Sequence, residues 1–137
     1  MTLILLENTF GVSRLAPDAP VPAWAAGGPF VSITRTPDEL SVVFRDDAIP
    51  EGVRCERGWQ CLRVAGTLDL ALVGMLASVL NPLAEAGVSV FVVSTFDTDY
   101  LLIKEEKLEA AIEVLGNHGH AVRKDRPTNP GGPADGP

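Results

Sequence analysis

The stretch from Cys61 to Val122 constrains the fold more than any other part of this 137-residue chain. Its pattern predicts the order strand, helix, strand, strand, helix, strand, with a long apolar helix from Asp69 to about Ala86. This order is that of the split β-α-β, or ferredoxin-like, unit. Everything before Cys61 is then expected to pack beside this unit.

The first part of the chain is predicted to be rich in strands and poor in helix. Runs at Thr2–Leu6, Phe30–Thr34 and Leu40–Phe44 combine apolar and β-branched residues. Between the first two runs, prolines at positions 17, 20, 22 and 29 fix backbone angles and remove hydrogen-bond donors, so no long element fits there. This part is consistent with a degraded second copy of the later unit.

Charge and hydropathy exclude several classes of partner. The net charge is −7 with only 11 Lys and Arg residues, which argues against binding to nucleic acid or to an anionic membrane surface. The longest apolar run, around Leu68 to Leu80, contains Asp69 and Gly74 and is followed by Pro82. It is therefore too short and too interrupted to span a membrane.

The two cysteines, Cys55 and Cys61, lie six residues apart without a second pair. No signal peptide precedes them, so a disulfide scaffold or a zinc site is not expected. We predict reduced thiols in a cytoplasmic protein.

No motif predicts catalysis, a metal or a cofactor. The chain has no glycine-rich phosphate loop, no HExxH sequence and no nucleophile elbow. Ser94 has no histidine nearby in sequence, and His118 and His120 lack a third candidate ligand. We predict that the protein is not an enzyme. The alternative would need a cleft in which one of these histidines meets Ser94 or a cysteine.

Two polar segments interrupt the apolar elements, and each has two interpretations. Residues 66–69 can simply turn and cap the long helix, or their free N–H groups can donate hydrogen bonds to a ligand carboxylate. Residues 94–99 can be an ordinary hairpin connection, or Thr95 and Asp99 can hold an α-amino group. Together the two segments would offer one carboxylate for an ammonium group and one helix start for a carboxylate. These two groups are the minimum needed to recognise an amino acid.

The chain resembles the ACT-domain proteins of the CASTOR-like group. The resemblance is strongest from Gly66 to Leu115, through LVG at 72–74, LAEAGVSVF at 83–91 and above all STFDTDYLL at 94–102. The segment FVSITRTPDELSVVF at 30–44 is similar to a strand-turn-strand of the same group.

The resemblance implies an α+β fold of two ferredoxin-like, ACT-type βαββαβ modules packed side by side, the first degenerate in helix. We place these modules at residues 1–58 and 59–123. The composition of residues 124–137 cannot bury apolar surface and predicts a disordered tail.

The resemblance also implies a non-catalytic regulatory protein, expected to be a homodimer, with an amino acid bound between its two modules. A module for oligomerisation or protein interaction, without a small ligand, is the alternative. Carried over by position, the residues expected to contact the amino acid or line its pocket are Gly66, Asp69, Leu72, Val93, Thr95, Asp99, Ser41 and Val42.

Overall fold

The structure is a computed structural model that describes residues 1–65 and 74–125. Its strands are β1 (Thr2–Leu5), β2 (Phe10–Leu15), β3 (Ser32–Arg35), β4 (Leu40–Arg45), β5 (Arg54–Val64), β6 (Phe91–Ser94), β7 (Asp99–Lys104) and β8 (Ala121–Lys124). Its helices are α1 (Ala77–Glu85) and α2 (Leu108–Asn117), with short 3₁₀ turns at Asp46–Ala48 and Glu105–Lys107. The predicted α+β class is confirmed. Within the described ranges, no helix is long and apolar enough to cross a membrane.

All eight strands belong to one sheet, and β5 is the strand that joins its two halves. Along one edge, β5 pairs antiparallel with β2 through Phe10 and Trp59 and with β1 through Leu3 and Val64. Along the other edge, its second half pairs with β7 from Trp59 to Arg63. β1 and β2 are thus two parts of one interrupted strand beside β5.

β1 lies inside the sheet of the C-terminal half, although it is the first strand of the chain. It pairs antiparallel with β5 and parallel with β8, so it separates the first and last strands of the predicted βαββαβ unit. β5 itself runs across the expected module boundary at residues 58 and 59. β8 includes Lys124, so this strand extends one residue into the segment predicted to form the tail.

The second half of β5 is buried on both faces because its residues alternate between two apolar clusters. Leu62 and Val64 face α1 and α2, together with Leu101 and Ile103 of β7. Trp59 and Cys61 face the other way, into a cluster that includes side chains of the N-terminal half. We call the first side the helix face and the second the seam face. The seam-face cluster contains Leu6, Phe10, Phe30, Val43, Trp59, Cys61 and Leu102.

The N-terminal half has a cluster of its own and no α-helix, as predicted for a module degenerate in helix. Val42 and Phe44 of β4 form this cluster with Leu40 and Ala25, and Trp24 packs against it. The guanidinium of Arg35 donates to the carbonyls of Pro17 and Ala19, which anchors the proline-rich segment to β3.

The first α-helix is shorter than the sequence pattern predicts. Residues 69–73 lie outside the described ranges, Gly74 has a left-handed φ of +86°, and α1 begins at Ala77. Gly87, with a φ of +76°, ends the helix as expected, and the Val88 N–H donates to the Leu83 carbonyl at 2.9 Å.

α1 continues through Pro82 without a break. The hydrogen-bond donor that the proline lacks is supplied by a histidine more than 30 residues later in the chain. Pro82 has no N–H to donate to the carbonyl of Ser78, four residues earlier. The ring Nε2 of His120 lies 2.9 Å from that carbonyl oxygen and donates to it. Nδ1 of the same ring is shielded from solvent and has no partner among the described residues. His120 thereby connects the entry of β8 to α1.

We expect His120→Ala to lower the free energy of unfolding by about 1 kcal/mol, because the Ser78 carbonyl loses this hydrogen bond. Urea denaturation followed by circular dichroism measures the change. His118→Ala is the matched control, since His118 is exposed and its hydrogen bond among the described residues goes to the carbonyl of Val114, on its own helix.

The same substitution in a Pro82→Ala background tests the cause. Alanine at position 82 restores the helical N–H donor for Ser78, so the cost of losing His120 should shrink. An equal cost in both backgrounds would show that the histidine acts in another way.

Candidate functional site

The predicted hairpin at residues 94–99 is a tight turn closed by its own side chains. The Thr95 N–H donates to the Thr98 carbonyl at 2.8 Å, and the Thr95 hydroxyl accepts from the Thr98 N–H at 3.2 Å. The Ser94 hydroxyl donates to a carboxylate oxygen of Asp99 at 2.5 Å. The Thr95 hydroxyl is therefore occupied by the turn, whereas Asp99 keeps further acceptor sites.

Thr98 fixes this hairpin to the end of β5. Its side chain is buried, and its hydroxyl donates to the Val64 carbonyl at 3.0 Å. The chain leaves β5 at Ala65, toward the segment predicted to hold a ligand carboxylate. Gly66, Asp69 and Leu72, which were predicted from that segment, lie outside the described residues.

The remaining predicted residues are divided between different sides of the sheet. Asp99 begins β7 on the helix face, because it alternates with Tyr100 and shares its side with Leu101. Val93 packs with Tyr100 against the seam-face cluster.

The two residues predicted from β4 also point to opposite sides. Ser41 shares its side of β4 with Val43, which belongs to the seam-face cluster. Val42 is fully buried in the N-terminal cluster with Phe44 and so faces away from Val93. The structure therefore brings Val93 and Ser41 to the seam side of the sheet and places Val42 on the other side.

Aromatic side chains fill the middle of the seam between the two halves. The ring of Phe30 lies 4.4 Å from that of Tyr100 and 6.0 Å from that of Phe10, measured between centroids. Trp59 and Phe91 lie 6.4 Å apart. A zwitterion is not expected among these rings, because its charged groups would lose water without gaining polar partners. The polar groups of the 94–99 hairpin lie beyond these rings, with Asp99 on the helix face.

Thr98 and Phe96 are two residues of the hairpin that sequence reasoning did not select. Thr98 is buried and Phe96 is 86% exposed, which inverts the usual preferences of threonine and phenylalanine. No periodicity marks either residue within the connection between β6 and β7. Only the pairing of β7 with β5 decides which side chain is covered.

The side chains considered for catalysis do not meet one another. His118 contacts the Val114 carbonyl, His120 the Ser78 carbonyl, and Ser94 the Asp99 carboxylate. Burial raises the pKa of Cys61 to about 12, although Arg63 lowers it slightly. Burial likewise raises the pKa of Cys55. Neither thiol has the depressed pKa of an activated nucleophile. Among residues 1–65 and 74–125, no cluster of three or more His, Cys, Asp and Glu side chains suits a metal ion.

Family comparisons match both halves of the chain. The ACT-domain model matches residues 54–117, and a model for an N-terminal domain matches residues 8–52. The human protein named "Cytosolic arginine sensor for mTORC1 subunit 1" is 32% identical over 106 residues, which cover 69% of this chain. Those residues are 32% of that protein, so this chain spans about a third of its length.

Two solved structures have a similar fold. The crystal structure of protein Atu0741 from Agrobacterium tumefaciens superposes with a TM-score of 0.87 at 42% identity, covering 93% of this chain and 96% of that one. The regulatory subunit of aspartate kinase from Thermus thermophilus, in its ligand-free form, has a TM-score of 0.56 at 15% identity. It covers 80% of this chain and 91% of that one, and supports the fold alone.

We expect both thiols of the folded protein to react slowly with Ellman's reagent, and Cys61 more slowly than Cys55. Cys61 is fully buried and Cys55 is partly exposed, so the thiolate of Cys61 is the harder one to form and to reach. The absorbance time course, in native buffer and in urea, measures both rates. Rapid labelling of Cys61 in native buffer would contradict the burial.

The raised pKa of Cys61 also makes the stability of the fold depend on pH. Because the folded state favours the neutral thiol, the stabilisation that Cys61 contributes is complete below the ordinary pKa of 9.0. This stabilisation is lost as the pH rises from 9.0 toward about 12. Cys61→Ala should flatten this alkaline loss.

Proposed function

The chain belongs to the ACT-domain proteins and resembles their CASTOR-like group, and from that premise we propose that it is a non-catalytic regulatory module that binds an amino acid. Its relatives include a named arginine sensor, which supports regulation rather than catalysis. The ligand position is our own inference from the hairpin geometry. A cytoplasmic location is proposed because the sensor is named cytosolic.

The carboxylate of Asp99 is the observation that carries this proposal. Asp99 is half-buried, and a hydroxyl of Ser94 holds its orientation at 2.5 Å. Among the described residues, the one salt bridge joins Arg45 to Asp47, so no side-chain cation neutralises Asp99 there. An oriented, partly desolvated carboxylate is suited to bind the α-ammonium group of an amino acid.

The other half of the recognition set would come from residues 66–69, which follow the end of β5. The buried Thr98 hydroxyl holds the hairpin beside this end through the Val64 carbonyl. We propose that backbone N–H groups near Gly66 donate to the ligand carboxylate, with Asp69 and Leu72 beside it. Thr95 would contribute through its carbonyl, since the turn occupies both its N–H and its hydroxyl.

The remaining predicted residues would support the site rather than bind charge. Val93 and Ser41 face the seam, on the side of the sheet opposite to Asp99, so they would support the hairpin end from that side. Val42 would contribute only through the N-terminal cluster in which it is buried. Because aromatic rings occupy the middle of the seam, we place the ligand at the hairpin, on the helix face with Asp99.

We also propose a homodimer joined through β6. Among the described strands β6 pairs only with β7, so one of its edges is unpaired. The segment from Val88 to Thr95 has no charge and no proline, although natural edge strands usually carry such protection. Antiparallel pairing of β6 with its copy would cover this edge symmetrically.

One observation favours the alternative, a module for oligomerisation or protein interaction that binds no small ligand. Aromatic contacts already fill much of the seam, as a purely structural interface would require. This alternative expects the dimer to persist while no amino acid stabilises the folded state.

We expect at least one common amino acid at millimolar concentration to raise the melting temperature, because a ligand that binds only the folded state stabilises it. Asp99→Asn should reduce that shift and weaken binding about tenfold, since the ammonium loses a charged partner. Differential scanning fluorimetry and calorimetry measure the two effects. Asp97→Asn, an exposed change of equal charge two residues away, is the matched control. Equal losses in both variants, or no shift with any amino acid, would remove the site from the hairpin.

Val92→Lys should convert the dimer to a monomer, because a lysine on β6 opposes its copy across the twofold axis. Val92 is half-buried and belongs to none of the three core clusters, so the monomer should stay folded. Light scattering coupled to gel filtration gives the mass. Ile33→Lys on β3, at the opposite end of the sheet, is the control and should leave the mass unchanged.

A further inference from the structure

The proline-rich segment between β2 and β3 contains a short ridge, residues 19–22, whose backbone shape is fixed by covalent geometry. The rings of Pro20 and Pro22 set φ at about −65°. The residue before each proline, Ala19 or Val21, is restricted to extended backbone. All four residues are therefore held close to the polyproline II conformation.

Hydrogen bonds at both ends hold the ridge in place. Before it, the Ala19 N–H donates to the Ala16 carbonyl at 3.0 Å and closes a turn. After it, the Ala25 N–H donates to the Pro22 carbonyl at 3.1 Å and closes another. The guanidinium of Arg35 also donates to the Ala19 carbonyl at 2.8 Å, which ties the ridge to β3. Because the ridge is already ordered, a partner that binds it pays little conformational entropy.

Two residues of the ridge face the protein and two face solvent. Ala19 and Pro22 are half-buried, and Ala19 packs against the N-terminal cluster. A polyproline II helix has three residues per turn, so positions 19 and 22 lie on the same side of it. Pro20 is exposed and Val21 is 50% exposed, on the remaining sides. The side chains of Pro20 and Val21 are therefore not needed to cover the core.

The backbone of the ridge offers acceptors but almost no donors. Within the described part of the chain, no protein donor bonds to the carbonyls of Pro20 and Val21. Pro20 and Pro22 have no N–H, and the turn already uses the N–H of Ala19. The ridge therefore cannot pair as a strand of a partner's sheet, which requires donors as well as acceptors. It can accept hydrogen bonds from side chains of a partner.

We propose that the ridge is an interaction surface for a different protein, one with a groove lined by aromatic side chains. Such grooves bind preformed polyproline II segments, and the O–H of tyrosine and N–H of tryptophan are donors suited to the free carbonyls. Pro20 and Val21 pack on the aromatic rings. Among the described residues, Phe96 is the one exposed aromatic side chain, and a single ring does not form a groove, so a second copy of this chain does not fit. The inference is independent of the hairpin site.

The test titrates a purified SH3 domain and a purified WW domain, both of which have aromatic-lined grooves, into the full chain with ¹³C-labelled valine methyl groups. At least one domain should shift the methyl signals of Val21 with a Kd below about 1 mM. The methyl signals of Val93, which faces the seam, should stay unchanged. Light scattering of the chain alone, with and without Pro20→Ala, tests the second copy as occupant. The same mass in both supports the proposal, and a lower mass in the variant contradicts it.

Three variants identify what the partner recognises. Pro20→Ala should weaken binding about tenfold, because it removes a ring from the contact and frees the backbone. Arg35→Met should weaken it about threefold, with a less favourable binding entropy in calorimetry, because the ridge loses an anchor. Pro37→Ala, at an exposed proline between β3 and β4, is the matched control and should leave binding unchanged. Melting curves followed by circular dichroism verify that each variant is folded.

Two results would overturn the proposal. One is the absence of a Val21 methyl shift with both domains. The other is an equal effect of Pro20→Ala and Pro37→Ala on binding, which would show that the contact is not specific to the ridge.

Discussion

The pairing of β5 on both of its edges is the interaction on which the rest of the structure depends. One edge holds the interrupted strand formed by β1 and β2, and the other holds β7. Because Leu62 and Cys61 point to opposite faces, the same strand contributes to the core under the helices and to the core between the two halves. The N-terminal half therefore cannot separate without exposing Trp59 and Cys61, each of which is at most 7% exposed.

This shared strand also decides where polar chemistry can occur. Side chains from both halves close the middle of the seam with aromatic contacts, such as that between Phe30 and Tyr100. Polar groups remain at the two ends of the second half of β5. At one end Thr98 ties the 94–99 hairpin to Val64, and at the other the missing pairing of residues 7–9 leaves a cavity. The positions of the hairpin and of the cavity are therefore both consequences of how β5 is paired.

Some features of the 94–99 hairpin could be predicted from the sequence, and others could not. The run from Ser94 to Asp99 predicts a turn because Asp and Thr bond their own backbone, and the structure places a turn there. The same run does not reveal that Thr98 is buried while Phe96 is exposed. Val42 and Val43 are adjacent and chemically identical, so sequence alone cannot say which of them faces the seam. That choice is fixed by the register between β4 and its neighbours β2 and β3.

The sequence by itself determined the α+β class and the strand and helix order of the second half, because periodicity and glycine stops are local signals. It also determined that the first half lacks room for helix, since its prolines restrict the backbone wherever they occur. Only the tertiary structure decided that β1 inserts between β5 and β8, that His120 reaches the carbonyl left free by Pro82, and that a cavity opens at Asn8. Each of these depends on contacts between residues far apart in the chain, whose free energies no local pattern encodes.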